Sequence, residues 1–163
     1  MNIVYLITGS NLGNRLLNLK KAEELIVQRI GNLISASHIF ETEAWGYTSA
    51  QSYYNQCSCL ESGLGAELIL KELLEIEREM GRKRTGGSYE DRIVDVDILF
   101  YNDEIINTKT LTIPHPKLHE RKFVLAPLAE IAEDFTHPIF GKSIGELLLE
   151  CEDKLEVRQV DLI

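Results

Sequence analysis

The chain has 163 residues, 26 acidic against 17 basic, a net charge of −9 and 44% hydrophobic residues. That length suits a single domain, 1–163, able to bury its own core, and that apolar content excludes a disordered chain. The acidic balance excludes a broad nucleic-acid surface, and no apolar run is long enough to span a membrane or flanked like a signal peptide, so a soluble cytoplasmic chain is expected.

Asn2 to Thr8 reads as a buried strand that ends at Gly9-Ser10-Asn11-Leu12-Gly13-Asn14. Leu16, Leu19, Ala22, Leu25, Ile26 and Ile30 then recur at helical spacing, predicting a helix over 15–30 that Gly31 stops. A glycine-bearing turn between strand and helix invites a phosphate-loop reading. The Gly-Lys-Ser/Thr ending of that loop and the dinucleotide glycine spacing are both missing, so a turn followed by a helix cap is the stronger reading. Asn32 to Glu43 reads as a second strand, with His38 as a half-buried structural residue. A polar loop over 44–52 carries Trp45, and Tyr53 to Glu61 alternates as a third strand. Leu68, Ile69, Leu73, Leu74, Ile76 and Met80 predict an amphipathic helix over 65–80, ended by Gly81.

Cys57, Cys59 and Cys151 are an odd set with no His or Cys at zinc spacing, and read as reduced, core-filling thiols.

Next comes Gly81 to Leu99, GRKRTGGSYEDRIVDVDIL. Between Arg78 and Arg92 stand five cations (Arg78, Arg82, Lys83, Arg84, Arg92) and three acids (Glu79, Glu90, Asp91), a positive island that suits a small anionic ligand. The alternation from Ile93 to Leu99 predicts a strand, so Asp95 and Asp97 share one face, with Cα atoms roughly 6.5–7 Å apart. Two carboxylates so placed can serve hard divalent cations such as Mg²⁺, which prefers oxygen ligands, waters and substrate phosphates. Arginines on a neighbouring glycine-containing loop would meet phosphate charge from the other side. A bare Asp-x-Asp equally describes two solvated carboxylates; the adjoining cations favour a phosphoryl site. Asn102-Asp103 then reads as a turn and 104–110 as a hairpin arm. Leu111 to Lys117 leads into 118–122, a helical turn follows Pro127 over 128–132, and a last helix covers 144–150. Strand, helix, strand, strand, helix, strand is the order of a ferredoxin-like split βαβ: an α+β fold whose antiparallel sheet carries helices, here with a C-terminal helical extension.

Taken together, GSNLG after the first strand, Arg82-x-Arg84, Arg92-x-x-Asp95-x-Asp97-Ile98, Ile113-Pro114-His115-Pro116, Arg121 and Phe123 resemble the 6-hydroxymethyl-7,8-dihydropterin pyrophosphokinase family, over about Val4 to Ile131. The resemblance implies Mg²⁺-dependent transfer of diphosphate from ATP to a pterin alcohol in folate biosynthesis, with AMP released. It implies that Asp95 and Asp97 hold two Mg²⁺ ions and that Arg82 and Arg92 close over the phosphates, with Arg84 beside them. It places Glu77, Ile98, His115 and Arg121 on the ATP side. Thr42, Trp45, Tyr53, Asn55 and Phe123 fall on the pterin side, where two aromatic faces and an amide suit a flat heteroaromatic ring. From the residues alone, His115 reads first as a turn residue between two prolines and Phe123 as core packing, while Arg121 is equally a solvated charge.

Glu43-Ala44-Trp45 replaces the prolines that often follow the family's threonine. Ser88 and Tyr89 stand where an extra Arg and a Trp are familiar, and Thr110 replaces a basic residue. The expectation is a monomer with loops at 43–52 and 82–92 that close when ATP and the pterin are both bound. Rival readings are another nucleotide-dependent transferase on the same fold, or a ligand-sensing or RNA-binding module, against which the charge counts.

Overall fold

Asn2–Ser10 forms a nine-residue strand, β1, in the interior of the sheet, two residues longer than the sequence predicts. The computed structural model describes residues 1–43, 51–81 and 93–161. β1 leads into α1 (Arg15–Arg29), whose first turn is capped by Asn14, its side chain accepting from the Leu17 N–H at 3.1 Å. Ser10 and Asn11 are fully buried. The Ser10 hydroxyl donates to the Ile93 carbonyl, while Asn18 donates to Ser10 Oγ at 3.1 Å and to the Leu12 carbonyl at 2.7 Å. The GSNLG segment is thus a turn that ties β1, α1 and the start of the Asp-bearing strand together.

The predicted second strand is broken into β2 (Asn32–Ala36) and β3 (Phe40–Thr42), both antiparallel to β4 (Tyr53–Ser62). The break falls where Ser37 turns inward: its hydroxyl accepts the Cys57 N–H at 3.0 Å and donates to the His38 carbonyl. His38 is exposed, not half-buried, and structural all the same. Its ring and backbone N–H engage the Glu130 carboxylate at 2.9 and 2.7 Å. After α2 (Ala66–Glu79), β5 (Asp95–Tyr101) pairs antiparallel with β1 and forms one edge of the sheet. The hairpin β6 (Ile106–Asn107) and β7 (Thr112–Ile113) follows, then a 3-10 turn at Leu118–Glu120, α3 (Lys122–Ala132), α4 (Ile144–Glu150) and β8 (Arg158–Gln159).

The sheet order is β5-β1-β4-β3-β8, with β2 also on β4. This is the split βαβ arrangement that the element order predicts, with β8 added at the far edge. Alternation along the strands divides the core in two. Val4, Leu6, Leu60, Val96 and Ile98 pack with α1 and α2 on one face, while Ile7, Cys57, Leu99 and Phe100 pack with α3 and α4 on the other. The C-terminal extension therefore covers part of the face that a bare ferredoxin-like sheet leaves open. α3 also begins before Pro127, not after it. The ring sits one turn inside the helix, where it forfeits a single intrahelical bond, and burial of Val124, Leu125, Pro127 and Leu128 offsets that loss. Cys57 and Cys59 are buried and reduced, and Cys151 is half-buried.

Candidate active site on the open half of the sheet

The site residues are best located by strand register. Across β3, β4, β1 and β5, Phe40 is opposite Asn55, Asn55 opposite Gly9, and Gly9 opposite Asp95. Directly paired residues share a face, so Phe40, Asn55, Gly9 and Asp95 form one row across four strands. The next row holds Cys57, Ile7 and Asp97, and both Cys57 and Ile7 pack towards α3. Thr42 and Tyr53, paired with each other and two residues along from Phe40 and Asn55, complete the same face. The predicted pterin residues on β3 and β4 and the predicted carboxylates on β5 are therefore collected on one surface. Asn55 and Asp95 lie two strands apart, roughly 9.5 Å.

Gly9 makes the floor between them. A Cβ there would come to 2.5 Å from Asn55 Oδ1 and 3.8 Å from the Tyr53 ring. Glycine inside a strand commonly marks a close approach of another group, and this one keeps the space beside the Asn55 amide open. The sequence reads Gly9, between Thr8 and Ser10, as the end of the strand; its place in the site shows only through its pairing with Asn55 and Asp95.

Asn55 and Thr42 are both buried, and the Asn55 amide donates to Thr42 Oγ1 at 3.4 Å. Phe123 stands in the first turn of α3, which rests on β4 where Cys57 Sγ meets the Val124 carbonyl at 3.8 Å. Both Tyr53 and Phe123 are half-buried, leaving part of each ring for a ligand. Arg121 caps α3 and holds its guanidinium 5.7 Å from the Phe123 ring centroid, within cation–π range.

At the β5 edge, Asp97 is exposed and Asp95 half-buried. His115 is anchored beside them by its backbone N–H, which donates to the Leu99 carbonyl at 3.1 Å. Its Nδ1 accepts the Lys117 N–H at 3.1 Å, which leaves the proton of the neutral ring on Nε2 as a donor. Burial pushes the His115 pKa below its ordinary value and Arg121 adds to this, while the Asp97 carboxylate pulls it back up. The ring is neutral near pH 7, a hydrogen-bond donor and not a cation.

Glu77 and Ile98 act from the interior. Ile98 is in the core with α1 and α2, and its backbone follows Asp97. Glu77, 5% exposed on α2, accepts the Val96 N–H at 2.8 Å. β5 is the edge strand among the described residues, so this N–H faces no described strand on that side, and the buried carboxylate fixes the backbone between Asp95 and Asp97. Arg82, Arg84, Arg92 and Trp45 lie outside the described residues, as do Ser88, Tyr89 and most of the two predicted loops.

Among the described residues no group of three or more His, Cys, Asp or Glu is arranged to hold a metal. Mg²⁺ needs less than that: one or two carboxylates, with waters and phosphate oxygens completing its shell. Asp95 and Asp97, adjacent on one face of an edge strand, fit that donor set.

The sequence pattern of the 7,8-dihydro-6-hydroxymethylpterin-pyrophosphokinase family matches residues 5–133, against the 4–131 expected from the motifs. A 2-amino-4-hydroxy-6-hydroxymethyldihydropteridine pyrophosphokinase of Porphyromonas gingivalis is 41% identical over 141 residues, 85% of this chain and 95% of its own. A protein of the same name from Aquifex aeolicus is 36% identical, covering 90% of both. Among solved structures, an HPPK-DHPS of Plasmodium falciparum with SDX-DHP superposes with a TM-score of 0.75 at 18% identity. It covers 92% of this chain, which spans about two fifths of that longer protein (43%). At that identity the superposition establishes the fold alone; the family rests on the sequence pattern and the two relatives above. The chain belongs to the 7,8-dihydro-6-hydroxymethylpterin-pyrophosphokinase family.

Proposed function

We propose that this chain transfers the terminal diphosphate of ATP to the hydroxymethyl oxygen of 6-hydroxymethyl-7,8-dihydropterin, giving AMP and the pterin diphosphate. Family membership makes it an ATP-dependent diphosphotransferase of folate biosynthesis. The observation that carries the assignment of roles is the single row Asp95–Gly9–Asn55. It sets a carboxylate edge and an amide pocket on one face, with no side chain between them. The pterin ring lies over β4 between Tyr53 and Phe123, its polar edge read by Asn55 and Thr42; Trp45 is assigned to the same substrate by the sequence resemblance alone. This points the hydroxymethyl group along the row, across Gly9, towards β5.

There the triphosphate is held with its β-phosphorus facing that oxygen. The oxygen attacks in line and loses its proton, the bond from the β-phosphorus to the oxygen bridging to the α-phosphate breaks, and AMP leaves with that bridging oxygen. Little covalent work falls to the protein in such a transfer, so positioning and charge neutralisation supply most of the rate. Arg82 and Arg92, with Arg84, neutralise phosphate charge, and Arg121 meets it from the α3 side. His115 donates its Nε2 proton to a phosphate oxygen. Asp95 and Asp97 would hold two Mg²⁺ ions, whose chemistry is to offset the charge on the attacking and leaving oxygens. Glu77 and Ile98 seat the strand from behind. The reading is of a single-domain cytoplasmic monomer.

The deciding experiment is AMP release from ATP in the presence of Mg²⁺ and 6-hydroxymethyl-7,8-dihydropterin. The reading requires AMP production that needs both additions. No AMP, or AMP formed equally without the pterin, overturns it.

A further inference from the structure

Directly behind the proposed pterin pocket, on the opposite face of the sheet, lies a charged cluster. It is centred on Glu41. Arg15, the first residue of α1, uses Nη1 to reach the Ser52 carbonyl and Ser52 Oγ, both at 2.9 Å, and Glu41 Oε2 at 3.4 Å. The Ser52 hydroxyl donates to the same Glu41 oxygen at 2.6 Å, and Arg158 donates to the other at 3.2 Å. The Arg15 guanidinium carbon lies over the Tyr54 ring, 3.8 Å from its centroid.

The members of this cluster are the immediate neighbours of pocket residues. Glu41 precedes Thr42, Ser52 precedes Tyr53, and Tyr54 lies between Tyr53 and Asn55. Glu41 is paired with Tyr54 just as Thr42 is with Tyr53, so the cluster occupies the back of the same strand ends whose front faces the pterin site. Side chains 18% and 25% exposed, for Arg15 and Glu41, screen this pairing less than a surface pair is screened. The hydrogen bond from Ser52, and then Arg15 and Arg158, hold the Glu41 carboxyl below the usual carboxylate range.

We propose that Arg15, Glu41, Ser52 and Arg158 form a clamp that positions Thr42, Tyr53 and Asn55 for the pterin, and so sets affinity for that substrate without contacting it. The clamp joins three distant parts of the chain: the start of α1, the facing ends of β3 and β4, and the C-terminal β8. Arg158 lies beyond the 5–133 stretch that the family pattern covers, so the last arm of the clamp is supplied by this chain's own extension. The clamp rests on the pterin reading given above. Its predicted signature is selectivity: the β5 carboxylates and His115 are on the far edge of the sheet, so the ATP side should not feel its loss.

The test is steady-state AMP release by wild type, Arg15→Gln, Ser52→Ala and Arg158→Ala, with each substrate varied in turn and thermal melting as a check on folding. Arg15→Gln is expected to raise the pterin KM about tenfold, equivalent to about 1.4 kcal/mol, while the ATP KM changes by less than about twofold. Arg15→Lys should recover only part of the loss, because it restores charge but neither the forked donor nor the stack on Tyr54. Arg158→Ala, a change at an exposed residue, should give the same selective effect at a smaller size. Should Arg15→Gln fail to fold, Ser52→Ala carries the test, since it deletes the hydroxyl that Arg15 and Glu41 share. Unchanged pterin KM in the folded variants, or equal rises in both KM values, overturns the clamp. An inactive wild type instead overturns the activity reading beneath it.

Discussion

Gly9→Ala is the smallest change that should separate the pocket from the fold. The added methyl would sit 2.5 Å from Asn55 Oδ1, well inside contact distance, with the Tyr53 ring at 3.8 Å. None of its three nearest neighbours belongs to β5, so the carboxylate edge is spared. The clash can be relieved by rotating the Asn55 amide, which stretches its bond to Thr42 beyond the present 3.4 Å. Overpacking of this kind costs about 1–3 kcal/mol, while removing a glycine from a strand returns roughly 0.5–1 kcal/mol. The melting temperature should accordingly fall by only a few degrees, at about 2–4 °C per kcal/mol for a chain of this size. The pterin loses a correctly aimed amide in a buried pocket, worth about 1–3 kcal/mol, or roughly five- to 150-fold in pterin KM. AMP release with pterin varied at saturating ATP reads this directly, and the ATP KM serves as the internal control. In an Asn55→Ala background the same methyl meets no amide, so Gly9→Ala should add little further loss, as a double-mutant cycle would show. A Gly9→Ala enzyme with unchanged pterin KM, or one whose loss persists in full without Asn55, would refute the assignment of Gly9 as the floor of the pocket.

Asp95→Asn and Asp97→Asn should each lower turnover by about a thousandfold or more with melting nearly unchanged, because a preorganised charge is lost at the reacting phosphates; near-normal turnover would remove the metal assignment. Glu77→Ala should strand the buried Val96 N–H and cost about 1–3 kcal/mol of stability by denaturant titration, whereas Glu77→Gln, which keeps an acceptor, should cost less. His137, 2% exposed, has its pKa pushed down to about 4, chiefly by burial and also by His119, and its Nδ1 accepts the backbone N–H groups of Ile139 and Phe140. Protonation therefore favours the unfolded chain: this contribution is full above about pH 6.5 and should be lost, by about 3 kcal/mol, as the pH falls towards 4. A His137→Asn chain unfolded by denaturant across that range should show a correspondingly flatter dependence.

The order of elements was legible in the sequence because the strands and the two long helices each carry one clear period. α2 shows this best: Ile69, Leu73 and Ile76 recur on one face and are buried as expected. What failed to show were features set by partners distant in sequence. The division of 32–43 into β2 and β3 depends on Ser37 bonding to Cys57, twenty residues away. β8 is two exposed residues whose strand character comes only from β3. A proline that reads as a helix boundary was overridden at α3 by the apolar residues on either side of it.

The site divides along the same line. Asp95 and Asp97 could be placed on one face from their own spacing, because that relation is local to one strand. That Asn55 shares that face with them is a fact of register, set by β1 pairing with β4 on one side and β5 on the other, and no local pattern specifies a register. The family motifs supplied the list of residues, but a list of conserved-type positions does not say what separates the two substrates. The sheet does. With β1 between β4 and β5, a residue at position 9 must lie between the amide and the carboxylate. A side chain there would press on the Asn55 amide and the edge of the Tyr53 ring, the groups proposed to aim the pterin along that row. On the proposed reading, glycine at that position leaves the face open between the two half-sites, so the residue that reads as punctuation at the end of β1 is the floor that joins them.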